Sequence, residues 1–126
     1  MSATPYLVSV VDDDLSVRES LQDLLRAFCH RVETFASAEE FLASEAATLS
    51  DCLILDIGMP GMTGPELQRE MASRRLHTPI VFITALKDET LRLQLIKRGA
   101  VDCLYKPLGA AGLQLALGSA LKKRSQ

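Results

Sequence analysis

Five short apolar runs, separated by helical stripes, leave few folds open to this chain. The runs are Tyr6 to Val11, Val32 to Phe35, Cys52 to Leu55, Ile80 to Ile83 and Val101 to Tyr105. Each has the length of a strand, far short of the roughly 18 to 20 apolar residues that cross a membrane. Between them apolar residues recur three and four apart: Val17, Leu21, Leu24, Leu25 and Phe28; Phe41 and Leu42; Leu67 and Met71; Leu91, Leu95 and Ile96; and Leu113, Leu117 and Leu121. That spacing places each set on one helix face. Strand and helix alternate five times, and the central runs are apolar throughout, as when helices cover both faces of a parallel sheet. The pattern predicts a doubly wound α/β fold in one domain covering residues 1–126.

Local chemistry marks the element ends. Asp14 or Ser16 can cap the first helix, and Ser37 with Glu40 and Thr63 with Glu66 have capping-box spacing. Pro65 suits a first helical turn, where its missing N–H would go unpaired, and Gly99 suits a helix end because a left-handed residue there carries no side-chain penalty. The last helix ends in Lys122, Lys123 and Arg124, which complement the negative end of a helix dipole; loose chain is expected only in the first few and last four residues.

In an open parallel sheet, chemistry collects beyond the carboxyl ends of the strands. Asp12 and Asp13 follow the first run, Asp56 the third, Thr84 the fourth and Lys106 the fifth. Carboxylates converging at one edge repel unless a cation neutralises them, and hard oxygen ligands favour magnesium, with manganese as its substitute. Two acids, a carbonyl from the loop after Asp56 and a phosphoryl oxygen would complete such a shell.

Other chemistries lack their parts. No GxxxxGK segment offers a phosphate cradle and no G-x-S-x-G elbow a serine nucleophile. His30 and His77 are the only histidines, too few for a zinc site with these cysteines. With 14 basic and 16 acidic residues the net charge is −2, so the chain has no broad basic footprint for direct nucleic-acid binding. Cys29, Cys52 and Cys103 each sit among apolar residues and are expected as buried thiols in a reducing, cytoplasmic compartment.

These residues, in this order, resemble the receiver domain of bacterial two-component response regulators, closest to the FixJ-like subgroup. The matching segments are VVDDDLSVRESLQDLL at 10–25, TFASAEEFL at 34–42, DCLILDIGMPGMTGPELQ at 51–68, PIVFITA at 79–85 and KRGAVDCLYKP at 97–107. The resemblance implies a flavodoxin-like (CheY-like) sheet of order 2-1-3-4-5. It makes Asp56 the phosphoacceptor, Asp12 and Asp13 the acidic pair, and Asp13, Asp56 and the Gly58 carbonyl, beside Asp12, the magnesium site. Thr84 becomes the switch hydroxyl, and Lys106 the lysine preceding a cis bond at Pro107. A histidine kinase or histidine phosphotransfer protein would supply the phosphoryl group, docking near Val17, Leu21 and the Gly58-to-Gly64 loop. Phosphorylation would bias the face made by the fourth helix, fifth strand and fifth helix toward a homodimer or an effector.

Two positions depart from the family pattern. The inward-swinging aromatic three residues before the lysine is replaced by Cys103, which reads first as a tolerated small packing residue; otherwise a small thiol carries a reduced switch or Tyr105, on the same side of the strand, presents the aromatic surface. The residues two beyond the phosphoacceptor and two beyond the threonine are Gly58 and Leu86, neither able to orient water, which implies a long-lived phospho-Asp56. Two other classes compete. A magnesium-dependent phosphatase would need a second acid where Gly58 stands and spare length for a cap; a phosphorylation-independent interaction module would not need its acidic site intact. FixJ-like relatives often continue into a DNA-binding domain, so the expectation is a single-domain regulator or the receiver portion of a longer chain, with no turnover beyond its own phosphotransfer and slow dephosphorylation.

Overall fold

A computed structural model describes residues 6–124. Five strands, β1 (Leu7–Val11), β2 (Arg31–Phe35), β3 (Cys52–Asp56), β4 (Ile80–Thr84) and β5 (Asp102–Tyr105), form one sheet of order β2-β1-β3-β4-β5, parallel throughout. The helices are α1 (Leu15–Ala27), α2 (Ala38–Leu42), α3 (Ala46–Leu49), α4 (Gly64–Ser73), α5 (Glu89–Lys97) and α6 (Ala110–Arg124). None of them is long and apolar enough to cross a membrane.

Alternation along the strands divides the core. Val8, Val10, Cys52, Ile54, Val81 and Ile83 pack with Leu21 and Leu25 of α1 and with Leu113 and Leu117 of α6. Val11, Leu53, Leu55, Ile80, Phe82 and Cys103 face the other way, onto α2 to α5 through Phe41, Ala46, Leu67, Met71 and Leu95. Both faces of β1, β3 and β4 are therefore covered, which is why their runs carry little polarity.

Several boundaries differ from the sequence reading. Six helices stand where five were expected, because the second stripe breaks into α2 and α3: the Ser44 hydroxyl donates to the Phe41 carbonyl at 2.7 Å, turning the chain between them. The face expected from the fourth helix, fifth strand and fifth helix is accordingly α5–β5–α6. Tyr6 lies before β1 rather than in it. Asp14, not Ser16, caps α1 by accepting the Ser16 and Val17 N–H groups. Ser37 and Glu40 make only half a box, since Ser37 accepts the Glu40 N–H but the return bond to its backbone is not formed. Thr63 and Glu66 complete theirs, with Pro65 in the first turn. Helix α6 continues through Lys123 and Arg124, expected to be loose; the remaining terminal positions, 1–5 and 125–126, lie outside the described residues. Cys52 and Cys103 are buried, but Cys29 is exposed, held at φ 68° where α1 ends, so the expectation of three buried thiols is wrong at that residue.

Candidate acidic site at the carboxyl edge of the sheet

The order β2-β1-β3-β4-β5 puts the exits of β1, β3 and β5 at one edge, and each delivers a charge there. Asp12, fully buried, and Asp56, 6% exposed, bring carboxylates from β1 and β3. Asp13 is exposed beside them, and one carboxylate oxygen from each of Asp12, Asp13 and Asp56 falls within a cluster 4.8 Å across. From beyond β5, Lys106 Nζ sits 2.8 Å from Asp12 Oδ2 and 3.4 Å from Asp56 Oδ1. The Asp12 contact is an ion pair rather than an aligned hydrogen bond, leaving Oδ2 buried without a regular donor.

The loops are built to hold these groups. Asp14 N–H donates to Asp12 Oδ1 at 2.9 Å while Asp14 caps α1, so the acidic tripeptide is fixed from both ends. Arg18 reaches back from α1 to donate to the Asp12 carbonyl at 2.7 Å, a contact the sequence reading missed because it depends on how α1 packs against the end of β1. After β3, Gly64 packs directly on the strand end. A Cβ there would collide with the Asp56 carbonyl oxygen and come within 3.1 Å of the Phe82 ring, so only glycine fits. Gly61 adopts φ +74°, and Met62 N–H donates to Glu39 Oε2 at 3.2 Å, tying this loop to α2. At Gly58, in contrast, a Cβ would meet nothing within 4 Å.

Burial, then the charge of Asp12, raises the Asp56 carboxyl above the usual carboxylate range, with Lys106 opposing. For Lys106 burial acts downward, yet the close contact with the Asp12 carboxylate and the charge of Asp56 outweigh it and the pKa is raised. A buried oxygen without a regular donor, among three converging carboxylates, suits a hard cation such as magnesium.

Thr84 is 8% exposed at the end of β4, its hydroxyl accepting the Leu86 N–H at 3.1 Å, and the Leu86 side chain itself points outward at 76% exposure. Lys106 N–H donates to the Thr84 carbonyl at 2.8 Å, coupling the ends of β4 and β5, and the Lys106–Pro107 peptide is cis. Cys103 is buried against Phe82 and its neighbours, its thiol pushed up to about 11 chiefly by burial. Tyr105, two residues on, donates its hydroxyl to Glu89 Oε2 at 3.0 Å. Around it lies a second charged cluster that the sequence reading did not find. Arg92 of α5 donates to Cys103 O at 3.2 Å, Asp102 Oδ1 at 2.9 Å and Glu89 Oε1 at 3.0 Å. The i,i+3 spacing of Glu89 and Arg92 was its one visible signal; its strand half depends on register.

Residues 8–117 match the family model described as "Response regulator receiver domain". The chain is 42% identical over 106 residues to Nodulation protein W of Bradyrhizobium diazoefficiens, a match covering 84% of this chain and 47% of that protein. The chain thus spans about half the length of this curated relative. Among solved structures it superposes on the response regulator StyR with TM-score 0.88 at 42% identity, covering 98% of this chain and 62% of that one. It superposes on FixJ-N with TM-score 0.84 at 32% identity, covering 95% and 96%.

Proposed function

The chain belongs to the response regulator receiver family, and from that premise we propose that Asp56 is its phosphoacceptor, accepting a phosphoryl group from a phosphohistidine of a histidine kinase or phosphotransfer protein. The observation that carries this reading is the shared ammonium: Lys106 lies against both Asp12 and Asp56, leaving the less exposed end of the acidic cluster charge-compensated before any phosphoryl group arrives.

An Asp56 oxygen attacks phosphorus; the new P–O bond forms as the P–N bond breaks, and the departing imidazole keeps the electron pair and takes up a proton. The raised Asp56 pKa makes its carboxylate a more basic nucleophile than an exposed aspartate. Lys106 can follow the charge from carboxylate to phosphoryl oxygen without leaving the site. Thr84 can turn its hydroxyl from the Leu86 N–H toward a phosphoryl oxygen. Asp12, Asp13, Asp56 and the Gly58 carbonyl would hold magnesium, which when bound offsets the charge of the transferring oxygens.

With a glycine at 58 and an outward leucine at 86, no side chain at either position orients water, which supports slow loss of the phosphoryl group. The same glycine removes the second acid that the phosphatase reading requires. Output by dimerisation through α5 and β5 is part of the proposal, as is the absence of direct nucleic-acid binding by this domain. Incubation with phosphoramidate and magnesium, read by intact mass, should add one phosphoryl group to the wild type and none to Asp56→Asn. Equal labelling of both would remove Asp56 from its role.

A further inference from the structure

The Arg92 cluster joins the two elements that carry Thr84 and Lys106. Glu89 and Arg92 lie in the first turns of α5, just after the Thr84 loop, while Asp102 and Cys103 lie on β5, which runs into Lys106. Strand β5 is an edge of the sheet. Cys103 N–H donates to Asp102 Oδ1 at 2.7 Å and Cys103 C=O accepts from Arg92 Nε at 3.2 Å, so side chains satisfy a peptide edge that a further strand would otherwise pair. Arg92 also bridges Asp102 and Glu89, and Glu89 takes the Tyr105 hydroxyl. One guanidinium thereby ties α5 to Asp102, Cys103 and Tyr105 of the strand, directly or through Glu89.

We propose that Arg92 is a positioning residue for phosphorylation at Asp56: it holds α5 and β5, and with them Thr84 and Lys106, in the spacing of the unphosphorylated protein. The inference rests on the assignment of Asp56 as phosphoacceptor. In the structure the Thr84 hydroxyl is engaged inside its own loop with Leu86 N–H. Drawing Thr84 and Lys106 together onto one phosphoryl group would move the ends of β4 and β5 that flank α5 and strain the Arg92 bonds, so the ties oppose phosphorylation. Where labelling proceeds from the minor population already in the phosphorylated packing, its rate scales with that population, and removing ties that oppose this packing raises it. Cys103 packs in the buried cluster that holds Leu91 and Leu95 of α5, beneath this charged tie.

The test is the rate of labelling by phosphoramidate with magnesium, followed by intact mass, for wild type, Arg92→Ala, Arg92→Lys and Tyr105→Phe, with thermal unfolding to confirm that each is folded. Arg92→Ala should label faster by roughly threefold to fivefold, the shift that two partly exposed ion pairs can impose on an equilibrium. Arg92→Lys, able to keep one charge contact but not all three, should fall between. Tyr105→Phe should move the same way by a smaller factor. An arginine that merely supports the fold would leave the rate unchanged or lower it, so a folded Arg92→Ala labelling at or below the wild-type rate overturns the proposal. Should Arg92→Ala not fold, an unchanged or lower rate in Tyr105→Phe overturns it instead. Absence of labelling in the wild type would sink the Asp56 assignment, and this inference with it.

Discussion

Asp56 is held where its charge is costly. Burial and the Asp12 carboxylate raise its pKa, so its favourable contribution to folding is present below the ordinary carboxylate range and is lost as pH rises through the folded value. At neutral pH the ionised side chain therefore weakens the fold. Asp56→Asn, neutral and of similar shape, should melt higher than wild type in magnesium-free buffer, by roughly 3 °C for a domain of this size, while Lys106 keeps Asp12 at 2.8 Å. A lower melting temperature would show that the Lys106–Asp56 contact outweighs the burial cost. The cysteines give a second residue-scale prediction. Cys29 is exposed, whereas burial pushes Cys52 up to about 12 and Cys103 up to about 11. A maleimide at neutral pH should modify one thiol rapidly in native protein and all three in denaturant. Because the two buried thiols stay protonated longer in the folded chain, stability should hold up to about pH 9, the ordinary thiol range, and decline as pH climbs toward their folded values.

At the scale of elements, the loop between β3 and α4 is the tightest piece of the site. Gly64→Ala would drive a methyl group into the Asp56 carbonyl and the Phe82 ring, at a cost of about 2 kcal/mol, and would displace the Asp56 backbone. Denaturant titration should show the loss, together with slower labelling; full stability would mean the loop can yield. Strand ends and helix faces were legible because hydrophobic period and polar punctuation report them directly, and Asp12, Asp13, Asp56, Thr84 and Lys106 were legible because each follows such a run. What escaped was chemistry that depends on register and reach. The Ser44 turn splits a stripe that reads as one helix. Cys29 has apolar neighbours in sequence, yet its left-handed backbone turns it outward. Arg18 and Arg92 look like solvated helix charges until the fold brings the Asp12 carbonyl and β5 to them.

Taken as a whole molecule, the sheet gathers charge at one edge, and the proposed output face is α5, β5 and α6. Phosphorylation at Asp56, as proposed, would alter charge among Asp12, Asp56 and Lys106, and α5 is packed on β5 through Arg92, Asp102, Glu89 and Tyr105. With neither Gly58 nor Leu86 able to activate water, the phosphorylated chain should persist for minutes or longer in magnesium, as followed by intact mass after removal of the donor; loss within seconds would contradict this. Sedimentation of the same sample should show a heavier species than the unphosphorylated protein if α5 and β5 form a homodimer. All of this depends on where the phosphoryl group goes. An acyl phosphate is reduced by borohydride to an alcohol, so a phosphorylated aspartate is recovered as homoserine. Peptide mass analysis after phosphoramidate treatment and reduction should place homoserine at residue 56 and at no other aspartate; its appearance at Asp12 or Asp13 with residue 56 unchanged would contradict the account.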